Sequence, residues 1–255
     1  MFDKLPVSSK TEKILTKSLD EEISVEEANH LMNIKGHDLY PLLATADFLR
    51  HQIVGDNVTF INNCNINFTN ICTVRCGFCA FGKDADDPDA YILNDEQILE
   101  KAEGTVLNGA REFTLMGGVH PDADIDYYLH LLTLLKDNYP DVTIHGFSPT
   151  MVRDACLVSG IDVAEGFEIL KKAGLDTLPG TAAEILTDRS REIICPEKVS
   201  VAEWIDIVKT AQEVGIPGSA TIMYGHVETL EERVEHIDII RQIQEDTHGF
   251  TEFIP

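Results

Sequence analysis

The feature that most constrains the fold of this chain is a regular alternation of strand-like and helix-like segments from residue 57 onward. Short apolar segments that end near glycine or proline alternate with longer stretches in which apolar residues recur at helical spacing. The predicted strands are Val58–Asn67, Glu112–Met116, Val142–Phe147, Leu175–Leu178, Ser219–Tyr224 and Phe250–Ile254, and the predicted helices are Asn94–Leu107, Asp126–Lys136, Ala164–Ala173, Ser200–Val214 and Leu230–Asp246. Such alternation predicts right-handed βαβ units and a parallel sheet in an α/β fold.

Residues 9–53 have a different pattern, with three apolar stripes at helical spacing and a capping box formed by Ser24 and Glu27. We therefore expect a helical lead-in over residues 1–56 and a core barrel over residues 57–255. The chain of 255 residues has about the size of a complete TIM barrel. With the lead-in removed, the remaining six predicted strands favour a partial, TIM-like (β/α)6 barrel.

The charge balance excludes some partners. Asp and Glu number 44 against 20 Lys and Arg, for a formal net charge of −24 at pH 7. Nucleic acid and anionic membranes are also negative, so neither is expected as a partner. No apolar run approaches the roughly 20 residues of a membrane span. The segment Met1–Val7 lacks the basic and apolar regions of a secretory signal, and we expect a cytoplasmic protein.

Polar and glycine-rich segments follow the ends of the predicted strands. They are the segment with Cys72, Cys76 and Cys79, then Gly117–Pro121, Ser148-Pro149, Pro179–Thr181 and Tyr224–His226. In parallel α/β barrels the carboxyl ends of the strands face the active site. The sequence therefore predicts that these segments converge on one mouth of the barrel.

Three of the six cysteines lie within eight residues, as Cys72-x3-Cys76-x2-Cys79. Clustered thiols in a reducing compartment indicate metal binding or catalysis rather than disulfides. Three thiolates on one loop can occupy three corners of a [4Fe–4S] cluster and leave one iron open for a small chelating molecule. Two alternatives stay open. A zinc site would need a nearby histidine, and His51 is the one candidate between residues 50 and 111; a Cys76–Cys79 redox pair would leave Cys72 unexplained.

The cysteine array resembles the signature of the radical S-adenosylmethionine superfamily, placed as that superfamily places it. The resemblance implies that Cys72, Cys76 and Cys79 hold the [4Fe–4S] cluster. The open iron of the cluster would chelate the amino and carboxylate groups of S-adenosylmethionine, and electron transfer into the sulfonium would yield methionine and a 5′-deoxyadenosyl radical. The cofactors would carry the difficult chemistry while the protein supplies position and excludes water.

The same resemblance suggests further cofactor contacts. An aromatic residue between the last two cysteines often lies near the adenine, and a Gly-Gly motif after the second strand contacts the amino group through its backbone, where glycine permits close approach. The candidate cofactor-binding residues are Phe78, Gly117, Gly118, Thr181, Glu184, Gly225 and Glu228. Glu184 and Glu228 have an equally good structural interpretation as acids in the first turn of a helix, where the dipole favours them.

Three histidines also lie near the carboxyl ends of predicted strands. Histidine transfers protons near neutral pH, and three at one predicted mouth favour a role for at least one in substrate binding. The candidate catalytic residues are His120, His145, His226 and Tyr224.

A closer resemblance covers the chain from about residue 57 onward. The segments that carry it are Asn70–Cys72, Cys79–Phe81, Gly117–Pro121, His145–Pro149, Pro179–Leu186, Ile194–Pro196, Met223–Glu228 and Gly249–Phe253. Together they resemble the tyrosine-using subunit family of FO synthase, the 5-amino-6-(D-ribitylamino)uracil–L-tyrosine 4-hydroxyphenyl transferases. The Pro179–Glu184 segment is the most discriminating, because related menaquinone-pathway enzymes tend to carry a glycine run there.

This family resemblance implies a reaction. The deoxyadenosyl radical would abstract hydrogen from L-tyrosine, the Cα–Cβ bond would break, and the 4-hydroxybenzyl radical would add to C5 of 5-amino-6-(D-ribitylamino)uracil. Implied partners are an electron donor protein and a second radical enzyme that completes the FO chromophore. The family runs on beyond the position of Pro255, so we expect a core that lacks the later elements.

Two alternatives accompany this interpretation. One is a futalosine-pathway radical enzyme of menaquinone biosynthesis, either dehypoxanthine futalosine cyclase or aminofutalosine synthase. The other, from a different class, is a zinc-binding or redox-binding α/β domain without radical chemistry.

Overall fold

The computed structural model describes residues 7–255, so most of the segment considered for a secretory signal lies outside the described residues. The chain forms two compact units. One comprises the residues up to Phe60 together with Glu228–Asp238, and the other comprises Ile61–Val227 with Ile239–Pro255. Among the helices of residues 7–255, none combines the length and apolarity needed to cross a membrane.

The first unit contains the predicted helical lead-in as helices α1 (Ser9–Lys17), α2 (Val25–Asn33) and α3 (Leu39–Val54), with a short 3-10 helix (Gly36–Asp38) before α3. The predicted capping box is present, because Glu27 N donates to Ser24 Oγ at 3.2 Å and Ser24 N donates to Glu27 Oε2 at 2.7 Å. These bonds satisfy amide groups that the start of a helix leaves unpaired. Ile14, Leu15 and Leu31 form the buried centre of this unit.

The second unit carries strands β1 (Asn63–Asn67), β2 (Glu112–Met116), β3 (Thr143–Gly146), β4 (Gly218–Thr221) and β5 (Phe250–Ile254). Strands β1, β2 and β3 pair in parallel in that order, and β4 pairs in parallel with β5. Isolated parallel bridges from His145 to Thr177 and from Leu178 to Gly218 connect β3 to β4. Six strand positions therefore follow one another in chain order, which confirms the partial (β/α)6 barrel.

The helices of the barrel are α4 (Asp95–Val106), α5 (Ile125–Asn138), α6 (Pro149–Ser159), α7 (Val163–Lys172), α8 (Asp188–Ile194), α9 (Val201–Val214) and α10 (Leu230–Thr247), and the first part of α10 belongs to the first unit. Side chains alternate between the two faces of a strand. Ile66, Phe113, Leu115 and Ile144 are fully buried in one core with apolar residues of α4, α5 and α6. The opposite face of β1–β3 carries polar side chains.

Three predicted elements differ in the structure. The first strand begins at Asn63 rather than Val58, because its ladder partner β2 begins at Glu112, opposite Asn63. The predicted strand at 175–178 is reduced to the bridges at Thr177 and Leu178, because one residue pairs with β3 and the next with β4, and Pro179 has no amide hydrogen to extend the ladder. The strand predicted at 219–224 is β4, which ends at Thr221.

Helices α6 and α8 were not predicted. Helix α6 has a local signal, since Ser148 accepts from Met151 N at 3.2 Å as the N-cap and Pro149 occupies the first turn. Helix α8 has seven residues and no side-chain hydrogen bond at its N-cap. Too few apolar residues fall within seven positions to establish a helical period.

Candidate active site around the cysteine loop

The three clustered cysteines lie on the loop that follows β1, here called the cysteine loop (residues 72–79). Its first part is tied to the loop after β2, because Thr73 N donates to Val119 O at 2.9 Å and Val119 N donates to Cys72 Sγ at 3.3 Å. Cys72 N also donates to Lys83 O at 3.0 Å. These bonds fix the Cys72 thiol between two backbone segments, half-buried at the carboxyl end of the strands.

Gly117 and Gly118 pack directly against the backbone that leads into the cysteine loop. A Cβ on Gly118 would lie 2.1 Å from Ile71 O and 2.8 Å from Cys72 Cβ, and a Cβ on Gly117 would lie 2.9 Å from the Phe68 ring. Gly118 needs glycine because the backbone of Ile71 leaves no room for a side chain, and a side chain at Gly117 would require the Phe68 ring to shift. The family resemblance implies that these glycines allow a ligand to approach closely, and the structure shows that they also allow close approach of the chain itself.

The second part of the cysteine loop is tied to the end of α8. Gly77 N donates to Ile194 O at 2.7 Å, and Arg75 N donates to Glu197 Oε2 at 2.6 Å. Cys76 packs against a small buried cluster that includes Ile194 and Cys195. Burial raises the pKa of the Cys76 thiol to about 11. A thiol that ligates a metal loses its proton, so binding at Cys76 would release one.

Lys198 lies beside this part of the loop. Its ammonium group pairs with the Glu184 carboxylate, and both side chains are more than four-fifths buried. The same ammonium lies 5.4 Å from the centre of the Phe78 ring, within range of a cation–π interaction. Burial alone would lower the pKa of Lys198, but Glu184 and the nearby thiols outweigh it and the pKa is raised. The lysine therefore stays charged next to the cysteines.

The segment Pro179–Glu184 forms a turn with unusual backbone geometry. Ala182 and Glu184 have φ angles of 69° and 43°, in the left-handed region that L-residues rarely occupy. Buried Arg191 of α8 holds this turn, because its Nη1 donates to Ala182 O at 2.9 Å and to Ala183 O at 2.8 Å. Strained backbone persists where its surroundings over-determine it, and such strain clusters at ligand clamps and active sites.

The remaining predicted cofactor residues have separate settings. Phe78 is 44% exposed, and Met223 N donates to Glu184 O at 2.8 Å, which links the Pro179–Glu184 turn to the chain after β4. The Thr181 hydroxyl is buried without a protein hydrogen-bond partner. Gly225 has a φ of 90°, and a Cβ added there would meet no atom within 4 Å. Glu228 belongs to the other compact unit, where its carboxylate accepts from Arg233 Nε at 2.8 Å.

The predicted catalytic residues have three different settings. Asp122 N donates to His120 Nδ1 at 3.1 Å, and His120 lines a cavity of about 160 Å³ with Tyr127. His145 lies within β3 rather than beyond it, its Nδ1 is 2.7 Å from Thr177 Oγ1, and burial lowers its pKa. His226 Nε2 donates to Met223 O at 2.8 Å, and Tyr224 is 57% exposed.

Arg191, Lys198 and Thr177 were missed by sequence reasoning. Arg191 and Lys198 lie in a polar stretch between two predicted elements, and nothing local to that stretch indicates burial. Their roles depend on partners that are distant in sequence or lie across a turn. Thr177 lies within the predicted fourth strand. Its position next to apolar Leu178 indicates that its side chain points to the opposite face of the sheet, and this was the signal that could have identified it.

The donor set fits an iron–sulfur cluster, which takes thiolate ligands. All six cysteines are free thiols, and three of them share one loop whose last member is exposed. Within residues 7–255, no group of three His, Cys, Asp or Glu side chains is close enough to hold one metal ion. A four-iron cluster takes each thiolate at a separate corner, so its ligands stand farther apart than those of a zinc ion.

The chain is similar to known proteins over most of its length. Residues 66–240 match the family model of the radical SAM superfamily. The chain is 49% identical over 249 residues to the 5-amino-6-(D-ribitylamino)uracil–L-tyrosine 4-hydroxyphenyl transferase of Methanothermobacter thermautotrophicus, an alignment that covers 98% of this chain and 68% of that protein. It is 44% identical to the protein of the same name from Methanopyrus kandleri, with 91% and 63% covered.

The fold has close counterparts among solved structures. HydG, a maturase of the [FeFe]-hydrogenase, superposes with a TM-score of 0.75 at 19% identity, over 98% of this chain and 55% of HydG. The chain spans about two thirds of the length of the curated relatives described above. It therefore belongs to the radical SAM superfamily, whose cofactors are a [4Fe–4S] cluster and S-adenosylmethionine, and within it to the family of 5-amino-6-(D-ribitylamino)uracil–L-tyrosine 4-hydroxyphenyl transferases.

Proposed function

We propose that this chain cleaves the Cα–Cβ bond of L-tyrosine and transfers the 4-hydroxybenzyl group to 5-amino-6-(D-ribitylamino)uracil. The observation that carries the proposal is the 49% identity, over 98% of the chain, to a relative that bears this name. When bound, the cluster and S-adenosylmethionine supply the one-electron chemistry that generates a carbon radical. Residues 57–255 would form the catalytic barrel, and residues 1–56 its helical lead-in.

In this proposal, Cys72, Cys76 and Cys79 ligate the cluster. The backbone at Gly117 and Gly118 lies against the start of the cysteine loop, where its carbonyl oxygens would accept from the amino group of S-adenosylmethionine. The Gly118 amide already donates to Thr69 O. The support for this placement is the contact of Gly118 with Ile71 and Cys72.

The remaining cofactor contacts are assigned to residues around the Lys198 ammonium and beyond β4. Phe78 would face the adenine. The Lys198 ammonium, which lies 5.4 Å from the centre of the Phe78 ring, would help to hold the ring in place. The unpartnered hydroxyl of Thr181 and the paired carboxylate of Glu184 would bind ribose or amino-acid atoms. Gly225 would take a place near the adenine, as would Glu228.

The candidate catalytic residues would orient the substrates and handle protons. Because Asp122 N donates to His120 Nδ1, the neutral His120 ring carries its hydrogen on Nε2, which becomes a donor to substrate. His226 likewise uses Nε2 as a donor, to Met223 O, which leaves Nδ1 as the acceptor in the neutral ring. Tyr224 would contribute its exposed phenol to the same mouth.

Further partners complete the proposal. The reaction needs an electron donor protein, and its product would pass to a second radical enzyme that closes the deazaflavin ring. The free state of all six cysteines supports a reducing compartment such as the cytoplasm.

The test is anaerobic reconstitution with iron and sulfide, followed by incubation with S-adenosylmethionine, a reductant and both substrates. We expect brown protein with about four irons per chain, and the 4-hydroxybenzyl adduct in the mass spectrum. Replacing Cys72, Cys76 or Cys79 by alanine should abolish iron binding, whereas Cys64→Ala should retain it, because Cys64 is buried on the helix-facing side of β1.

Other outcomes would contradict the proposal. Colourless protein that contains zinc would favour a metal-binding domain without radical chemistry. Turnover of dehypoxanthine futalosine, or formation of aminofutalosine, would move the assignment to menaquinone biosynthesis.

A further inference from the structure

A row of polar side chains crosses the barrel sheet on the face opposite the helices. Asn65 pairs with Thr114 between β1 and β2, Thr114 pairs with His145 between β2 and β3, and His145 forms a bridge with Thr177. Residues paired directly across parallel strands point to the same face. These four residues, here called the polar row, are therefore neighbours on the inner face of the barrel.

The polar row lies just inside the mouth of the barrel. Asn67 and Met116, each two residues beyond the row, end β1 and β2. A strand rises about 3.3 Å per residue, so the row lies about 7 Å below the strand ends. The cysteine loop begins beyond the end of β1. If a molecule extends into the barrel from the cluster end, the end farthest from the cluster would contact the polar row.

Hydrogen bonding within the row is incomplete. His145 Nδ1 and Thr177 Oγ1 are 2.7 Å apart, which orients the imidazole and leaves its Nε2 for another partner. The Thr114 hydroxyl oxygen is buried and has no partner within the protein. A buried hydroxyl without a partner is destabilising, because it has lost its hydrogen bonds to water and gained none in return. A hydroxyl group of a ligand would remove that cost.

The chemistry of the row selects an uncharged ligand with several hydroxyl groups. Its side chains are two hydroxyls, one carboxamide and one imidazole, and burial keeps the imidazole neutral by lowering its pKa. One layer deeper on the same face is Glu112, whose pKa is raised by burial and by the charge of Glu252. The polar row contains no cationic side chain that would pair with the carboxylate of an amino acid. The ribityl chain named in the substrate of the relatives is uncharged and polyhydroxylated.

We propose that Thr114, His145 and Thr177, with Asn65 beside them, bind the hydroxyl groups of the ribityl chain of the pyrimidine substrate. The proposal rests on the proposed function for the identity of that substrate. It places the ribityl chain deep in the barrel and directs the uracil ring toward the cluster end, where the tyrosine fragment must reach it.

The test compares Thr114→Val, which removes the hydroxyl while keeping the shape, with Thr114→Ser, which keeps the hydroxyl. Both are measured in cluster-loaded enzyme without tyrosine, so that binding is recorded without turnover. The ligands are 5-amino-6-(D-ribitylamino)uracil and an analogue whose ribityl chain is replaced by an unsubstituted alkyl chain of the same length. Thr133→Val on the exposed face of α5 is the matched control.

We expect Thr114→Val to weaken binding of the ribityl compound about tenfold, the loss of roughly one hydrogen bond, and to leave binding of the alkyl analogue unchanged. Thr114→Ser should restore most of the affinity. In turnover, the KM for the pyrimidine should rise while the KM for tyrosine stays constant. Thermal unfolding of each variant, compared with that of Thr133→Val, shows whether the fold is retained.

Equal weakening of both ligands, or a rise in the KM for tyrosine alone, would overturn the proposal. So would the absence of pyrimidine binding by the loaded wild-type enzyme. A different outcome would separate the two proposals. If the wild-type enzyme prefers the ribityl compound and Thr114→Val loses that preference, then binding of the ribityl chain by the polar row is supported. If no benzyl adduct is formed by the same wild-type enzyme, then the proposed reaction is wrong.

Discussion

Two turns lie near different parts of the cysteine loop, and they are built in opposite ways. The Gly117-Gly118 turn comes close because it has no side chains, and a Cβ at Gly118 would overlap the backbone of Ile71. The Pro179–Glu184 turn contains ordinary residues with positive φ angles, and Arg191 holds it in place through bonds to its carbonyl oxygens. The glycine turn therefore depends on the lack of side chains, whereas the Pro179–Glu184 turn, here called the clamped turn, depends on hydrogen bonds from the Arg191 guanidinium.

The two turns should tolerate substitutions to different degrees. Steric exclusion by backbone leaves no room for adjustment, because neither the Ile71 carbonyl nor the Gly118 backbone can rotate away as a side chain can. A turn held by several hydrogen bonds loses stability gradually, because the loss of each bond lowers the free energy of unfolding by a limited amount. We therefore expect substitutions in the glycine turn to act sharply and those in the clamped turn to act by degrees.

The largest effect is expected for Gly118→Ala. The new methyl carbon would lie 2.1 Å from Ile71 O, so the start of the cysteine loop must move. Overpacking of this kind costs about 3 kcal/mol, and the displaced Cys72 should reduce the iron content after reconstitution. Denaturant unfolding and iron analysis measure the two effects.

Gly104→Ala is the matched control for this substitution. It lies within α4 with nothing within 4 Å of the added Cβ, and alanine should stabilise that helix by about 1 kcal/mol. Wild-type stability and full iron content in Gly118→Ala would refute the steric account of the glycine turn.

The next effect is expected for Arg191→Met. Methionine fills similar space but leaves the carbonyl groups of Ala182 and Ala183 buried without donors, at a cost of about 2–3 kcal/mol in the free energy of unfolding. Arg191→Lys keeps the charge and one donor group, and should lose about half as much. Arg111→Met, at an exposed position of the barrel unit, should change stability by less than about 0.5 kcal/mol. Equal losses of stability at Arg191 and Arg111 would show that the hydrogen bonds of Arg191 do not stabilise the turn.

Gly117→Ala tests the contribution of the first glycine of the turn separately from that of the second. The added methyl group would meet the edge of the Phe68 ring at 2.9 Å and Thr69 O at 3.1 Å. A ring can tilt where backbone cannot, so we expect a loss of about 1–2 kcal/mol, smaller than for Gly118→Ala, with iron content preserved. If Gly117→Ala costs more than Gly118→Ala, then the ring is the rigid element and the ranking of the two contacts is wrong.

The same contrast explains which parts of the site could be predicted from the sequence. The glycine pair, the capping box at Ser24 and the strand–helix alternation are local patterns, and each reflects a constraint within a few residues. The first strand was predicted too long because its apolar alternation continues through Val58 and Phe60, although both side chains are more than nine-tenths exposed. Alternation alone does not show whether a pairing partner exists.

The clamped turn and the polar row could not be predicted in this way. A buried arginine looks like any other in the sequence, and the burial of Arg191 depends on the turn that it contacts in the folded barrel. Thr114 and Thr177 become neighbours of His145 only through the register of the sheet, which connects residues about 30 positions apart. Helix α6 is the opposite case, because Ser148-Pro149 is a local signal for the start of a helix, with serine as the N-cap and proline in the first turn.

The smallest effect is expected for Ala182→Gly, and it tests whether the clamped turn stores strain. Loss of a buried methyl group costs about 0.8 kcal/mol, but glycine relieves a left-handed conformation that costs an L-residue about 1 kcal/mol, so the net change should be near zero. Ala155 of α6 is equally buried in helical conformation. Ala155→Gly should therefore lose about 2 kcal/mol, because the methyl and helix-propensity costs add. Denaturant unfolding of the two variants gives the comparison directly. Equal losses would show that Ala182 holds no strain, and the role of Arg191 would then be to satisfy carbonyl groups rather than to force the backbone.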